Sequence, residues 1–194
     1  MKIALDIDRV LADFDSRLTY CLDKLYGLKI SPSDITMDNF KSLFCLNTQE
    51  ESILFDEVFS SIDHFPVIDG AIDGCKSLLE NDVELFLLTA RTKKIITYEW
   101  LDEYFPTMKF PIYFKENIEN IPIADYFLDD SPHKIAQYHD KITEQCFLMD
   151  TYQNKDCINL GNKYQRVENW FDFLDRIQLD NPKLKLRRKV YAGK

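Results

Sequence analysis

Four acidic residues at two places in the chain could carry chemistry. Asp6 and Asp8 stand one residue apart in Asp6-Ile7-Asp8-Arg9-Val10-Leu11-Ala12-Asp13-Phe14, and Asp129 and Asp130 are adjacent in Asp129-Asp130-Ser131-Pro132. Carboxylates this close repel one another unless a cation lies between them or one keeps a proton. A third segment, Leu87-Leu88-Thr89-Ala90-Arg91, offers a hydroxyl and backbone N–H groups of the kind that hold a phosphate where a strand passes into a helix. Taken singly, an acid after a strand is commonly a helix cap or turn residue, and a threonine there is structural. Taken in order they supply oxygens for a hard cation and N–H groups for a phosphate, which together make one site.

These groups need a scaffold that brings them together. Short apolar runs recur as KIALD (2–6), VELFLL (83–88), PIYF (111–114), DYFLDD (125–130) and CFLMD (146–150). Their brevity and continuity predict buried parallel strands. Helical spacing fills the gaps over Ala71–Leu79, Ile95–Phe105 and Pro132–Tyr138, and again at Trp170–Ile177. Strands alternating with helices predict an α/β Rossmann-like parallel sheet with helices on both faces, whose ligands gather at the carboxyl ends of the strands. Residues 15–65 break the rhythm: Leu18, Cys21, Leu22, Leu25, Ile53, Leu54, Val58 and Phe59 follow helical spacing, and no run of strand length occurs. They read as a small helical cap inserted after the first strand, with Phe65-Pro66-Val67-Ile68-Asp69-Gly70 as the return. The core is then 1–14 and 66–180, and 181–194 is a basic tail expected to fray.

Composition narrows the function. The 194 residues carry 24 Lys plus Arg against 33 Asp plus Glu, a formal charge of -9. Lys183, Lys185, Arg187, Arg188, Lys189 and Lys194 all lie in the tail, so the rest is more acidic still. A large nucleic acid is not an expected partner, and a phosphate ligand needs a local cation or metal. Cys21, Cys45, Cys75, Cys146 and Cys157 are odd in number and contain no CxxC pair, which fits reduced thiols in a cytoplasmic protein. The apolar runs are too short to span a membrane, and the first residues lack a basic-then-apolar leader. The sequence is compatible with an oligomer. The five glycines form neither GxGxxG nor a P-loop.

With DIDRVLADF, FPVIDGA, LLTAR, DYFLDDSP and FLMDTYQN...RVENW in this order, the chain resembles the haloacid dehalogenase superfamily of phosphatases and, within it, the 5'(3')-deoxyribonucleotidases. The resemblance makes Asp6 the nucleophile that becomes an aspartyl-phosphate and Asp8 the general acid and later base. It makes Thr89 and Ala90 phosphate-loop residues and Asp130 a magnesium ligand alongside Asp6 and the main-chain carbonyl of Asp8, with Asp129 beside it. The implied substrate is a small phosphomonoester, foremost a (deoxy)nucleoside monophosphate. Two points depart from the pattern. Many relatives have Gly where this chain has Arg9, and the family lysine is ambiguous: Lys115, in PIYFKEN, is preferred to Lys109, with Lys93 and Lys94 further back.

Charge then dictates the chemistry. A carboxylate attacking a phosphomonoester faces an anion, so magnesium and a lysine must neutralise it before the two can approach. Arg9 and Arg91 are candidate contacts for the dianionic substrate. Phe14, Phe40 and Phe44 lie in or near the expected cap and could stack on a base, although most aromatic residues pack cores. Two other classes remain open at this point: a phosphoacceptor signalling domain, which needs no cap, and a non-catalytic protein that keeps the fold.

Overall fold

The computed structural model describes residues 1–35, 46–114, 120–143, 145–157 and 163–186. Phe40, Phe44, Cys45, Lys115 and the tail from Arg187 onward lie outside the described residues. Strand β1 (Lys2–Asp6) is followed by helix α1 (Phe14–Tyr26), a 3-10 turn at Pro32–Asp34, α2 (Thr48–Val58) and α3 (Ala71–Leu79). Then come β2 (Glu84–Thr89), α4 (Lys94–Tyr104), β3 (Ile112–Phe114), β4 (Tyr126–Asp129), α5 (Pro132–Tyr138), β5 (Cys146–Met149), β6 (Gln165–Val167) and α6 (Trp170–Asp180). The six strands are all parallel in the order β3-β2-β1-β4-β5-β6. Connections run one way from β1 through β2 to β3 and the other way from β4 onward, so the order reverses beside β1, which is where such sheets bind ligands.

Period-two alternation divides the strand residues between two faces. Ile3, Leu5, Leu85, Leu87, Tyr126, Leu128, Phe147 and Met149 join the larger core with Trp100 of α4 and Trp170, Phe173 and Ile177 of α6. Ala4, Phe86, Leu88, Phe127, Cys146 and Leu148 face the smaller core, closed by Ile135 and Tyr138 of α5. Both faces are therefore covered, as the unbroken apolar runs require. Strand β6 is the element the sequence does not reveal: Gln165-Arg166-Val167 is too short and too polar to stand out, and it pairs because β5 offers it an edge.

The insert is built on caps. Asp13 accepts from Ser16 N at 3.0 Å to start α1, Gly27 closes it with φ 66°, and Asn47 with Glu50 forms a reciprocal cap on α2. Buried Arg17 of α1 donates to the carbonyls of Glu57, Val58 and Asp63, tying α1 to the end of α2. Leu18, Leu22, Leu54 and Val58 belong to the larger core, so the described residues of the insert share the core of the sheet.

Backbone hydrogen bonds and one tryptophan fix the loop after β1. Ile7 O accepts from Leu11 N at 2.9 Å and Ala12 N at 2.8 Å, and the returning chain is laced to the loop through Asp13 N to Pro66 O and Ile68 N to Leu11 O, both 2.8 Å. Trp170 Nε1 donates to Val10 O at 2.7 Å, and its ring lies so close to Gly74 that a Cβ there would stand 2.4 Å from it. The segment expected to fray from residue 181 instead begins packed: Lys185 N donates to Asn81 Oδ1 at 2.9 Å and Leu186 is buried.

Candidate active site

Register brings the acids together. Leu5 is paired with Leu87 on one side and Leu128 on the other, so Asp6, Thr89 and Asp129 end three adjacent strands at the same edge. One oxygen from each of Asp6, Asp129 and Asp130 lies within 4.8 Å of the others, and all three residues are buried. Ser131 N donates to Asp129 Oδ1 at 2.8 Å, whereas Asp129 Oδ2 is buried without a hydrogen bond. Burial is the chief reason the Asp6 carboxyl is raised to about 6; Lys134 opposes the rise, and Asp130 and Asp8 add to it. Asp129 is raised well above the ordinary carboxylate range by burial and then by Asp6. Three crowded, desolvated carboxylates with an unsatisfied oxygen fit a hard divalent cation, because such an ion takes oxygen ligands and removes the repulsion.

Two cations already meet the cluster, Arg9 at Asp130 and Lys134 at Asp6 and Asp129. Ser131 caps α5 and Pro132 opens it, which puts Lys134 in the first turn, directly over the end of β1. Its Nζ lies 2.9 Å from Asp6 Oδ2, an ion pair without hydrogen-bond alignment, and 3.6 Å from Asp129 Oδ2. Burial disfavours the ammonium, but Asp129, Asp6 and Asp130 outweigh it and hold the group above the ordinary lysine range. Lys134 also lines a small hollow of about 70 Å³ with Thr89, Ala90 and Tyr138. Sequence reasoning preferred Lys115, which lies outside the described residues, and missed Lys134. The available signal was its place two residues after Pro132, where an α5 side chain turns back toward the strand ends.

Asp8 faces the other way. Arg91 Nη2 reaches Asp8 Oδ1 at 2.7 Å, and Nε lies 3.2 and 3.1 Å from the two carboxylate oxygens. Arg91 N donates to Thr89 Oγ1 at 3.1 Å, so the hydroxyl of Thr89 braces the turn after β2. Asp8, Ala90 and Arg91 line a cavity of about 270 Å³ whose far wall is Ser52, Phe55, Asp56 and Phe59 of the insert. Lys93 and Asp56 bridge its mouth at 3.0 Å. Phe14 is buried among Phe55, Phe59 and Phe65, with centroids 6.0 to 6.5 Å away.

Arg9 has φ 63°, in the left-handed region that glycine adopts most readily. Here its guanidinium is held by Asp15 at 2.8 Å and Asp130 at 3.4 Å, over the ring of Phe14. It separates the acid cluster from a wider cleft of about 850 Å³ that also includes Ser31, Thr151, Tyr152 and Phe171. The buried Asn154 amide, which the sequence did not single out, donates to Asp130 O at 2.8 Å and Met149 O at 2.7 Å and so anchors the acidic loop to β5.

The model of the family described as 5' nucleotidase, deoxy (pyrimidine), cytosolic type C protein matches residues 1–183. The chain belongs to this family. A 5'(3')-deoxyribonucleotidase of Bacillus subtilis (strain 168) is 26% identical over 172 residues, covering 87% of this chain and 93% of the relative. Among solved structures, a HAD family hydrolase from Deinococcus radiodurans R1 with bound phosphate and sodium aligns with a TM-score of 0.69 at 12% identity, covering 96% of this chain and 98% of that one. A HAD-hydrolase from Bacillus subtilis bound to magnesium aligns with a TM-score of 0.58 at 16% identity, covering 92% and 97%. The chain is thus a phosphatase of the nucleotidase family, and it has the fold of the HAD hydrolases among the solved structures. No helix among its described residues is long and apolar enough to cross a membrane.

Proposed function

We propose that the protein is a magnesium-dependent 5'(3')-deoxyribonucleotidase working through an aspartyl-phosphate. The observation that carries this reading is the buried Asp6, Asp129 and Asp130 cluster facing Lys134 where the strand order reverses. Asp6, Asp130 and the carbonyl of Asp8 would hold magnesium, with Asp129 beside them. Bound there, the ion would neutralise the phosphoryl oxygens and the carboxylates together. Lys134 takes the phosphate-neutralising role that the sequence assigned to Lys115. Thr89 and Ala90 supply the phosphate loop, and residues 15–65 act as the cap that walls the substrate cavity with Phe55 and Phe59.

In the first step an Asp6 oxygen bonds to phosphorus as the ester oxygen departs, and Asp8 gives that oxygen a proton. In the second, Asp8 takes a proton from water, whose oxygen attacks the acyl phosphate and releases inorganic phosphate and Asp6. Asp6 must be ionised to attack, and Lys134 within ion-pairing distance favours that state. The test is phosphate release from a panel of deoxyribonucleoside 5'- and 3'-monophosphates, ribonucleotides, sugar phosphates and phosphoamino acids. Turnover of deoxyribonucleotides that is lost in EDTA and restored by magnesium is the expected result. Full turnover after exhaustive chelation, or turnover confined to sugar phosphates, would overturn it.

A further inference from the structure

Arg91 is nearly sealed from solvent, and among the described residues its side-chain hydrogen bonds go to Asp8 alone. Its Nη1 is buried without a hydrogen bond. The guanidinium instead lies against three rings, with centroids of Phe65 at 4.6 Å, Phe59 at 5.3 Å and Trp100 at 5.6 Å. A guanidinium gives up much of its hydration on burial, and a paired carboxylate with aromatic faces offsets that cost. The fork meets both oxygens of Asp8, which fixes the carboxylate plane as well as its distance.

The rings come from different parts of the fold. Phe59 ends α2 of the insert, Phe65 opens the return, and Trp100 sits on α4, where its Nε1 donates to Phe65 O at 2.7 Å. We propose that Arg91 is a positioning residue that aims the Asp8 carboxylate at the leaving-group oxygen, held in place by an aromatic box with one wall from the helical insert. It acts through Asp8 rather than on the substrate, so proton delivery depends on the insert being seated. This rests on Asp8 being the general acid.

The experiment measures the first step in single turnovers with two probes, a deoxyribonucleoside 5'-monophosphate and 2,4-dinitrophenyl phosphate, whose leaving group needs no proton. Arg91→Met should lose about thirtyfold or more on the nucleotide and less than about threefold on the aryl ester, as loss of an aimed acid requires. In an Asp8→Asn background the same change should cost less than about twofold, since two residues acting through one group are not additive. Arg91→Lys keeps the charge but loses the fork, should show the same bias at about tenfold, and serves if Arg91→Met fails to fold. Equal losses on both probes, or effects that multiply with Asp8→Asn, would overturn the inference while leaving the acid role of Asp8 standing. An Asp8→Asn protein without leaving-group bias would overturn that role and this inference with it.

Discussion

The two ends of the sheet carry clefts of nearly equal size, about 840 Å³ below the amino ends of β1, β4, β5 and β6 and about 850 Å³ beside Arg9 at the carboxyl ends. They differ in what their charges are doing. At the amino end Asp125 accepts from Lys2 N at 2.7 Å, and Asp180 lies 3.5 Å from the Tyr126 hydroxyl, which itself accepts from Asn181 at 2.7 Å. At the carboxyl end three buried acids share one lysine and one arginine, and oxygens of Asp6 and Asp129 lack hydrogen bonds. Volume does not separate the two ends; the crowding of buried carboxylates around one lysine and one arginine does. Crowded, desolvated acids of this kind gather where ligands bind, which supports the proposal that the carboxyl end of the sheet is the working end.

The comparison breaks first at Asp6. Asp6→Asn should leave less than about a thousandth of wild-type kcat, a loss of at least ~4 kcal/mol in barrier, because an amide cannot form the acyl phosphate. Steady-state phosphate release measures it, and a milder loss removes the covalent route. Next comes the choice of lysine. Lys134→Met should lower kcat/KM by about a hundredfold, the scale of one lost charge-stabilising donor, whereas Lys115→Met should change it by less than about threefold. The reverse pattern restores the sequence-based preference.

A third test reads stability. The Asp6 carboxyl binds its proton more tightly folded than unfolded, so its contribution is intact below the ordinary carboxylate range and is lost as pH rises through about 6. Asparagine carries no such loss. In EDTA, Asp6→Asn should melt higher than wild type at pH 7.5, by an equivalent of up to ~2–3 kcal/mol, and level with it at pH 4. Saturating magnesium should reverse the order at pH 7.5, since wild type gains binding energy that the variant lacks. Thermal melts in both conditions check this, and an Asp6→Asn protein less stable in EDTA at pH 7.5 contradicts it. The smallest effect belongs to the amino end: Asp125→Asn should alter kcat/KM by less than about twofold, within the range of surface changes remote from a site.

Much of this contrast could be read in the chain itself. The strand β1 and the helices α3 and α5 stand where apolar spacing placed them, and Asp6 and Asp129 meet because both close apolar runs of a parallel sheet. What stayed hidden depends on side-chain reach across the fold. Lys134 follows the acidic pair in sequence, and only the first turn of α5 swings its ammonium back over β1. Asp8 and Arg91 are separated by 83 positions, and no local pattern announces their pairing. Arg9 could be placed near the site, but its grip on Asp15 and Asp130 required α1 to be set against the sheet.

The all-parallel strand order also has a cost in time. Among the described residues no hairpin starts this sheet, and β1 meets β4 only across a separation of 123 residues, as the Lys2 to Asp125 bond shows. During synthesis Ile3, Ala4 and Leu5 leave the ribosome long before their second neighbour exists. Closure of so long a loop is slow, and an unpaired apolar strand is exposed to aggregation while it waits. The acid cluster can thus form only after β4 and the turn beyond it are made, and a nascent chain that stops short of β4 holds Asp6 without Asp129, Asp130 and Lys134.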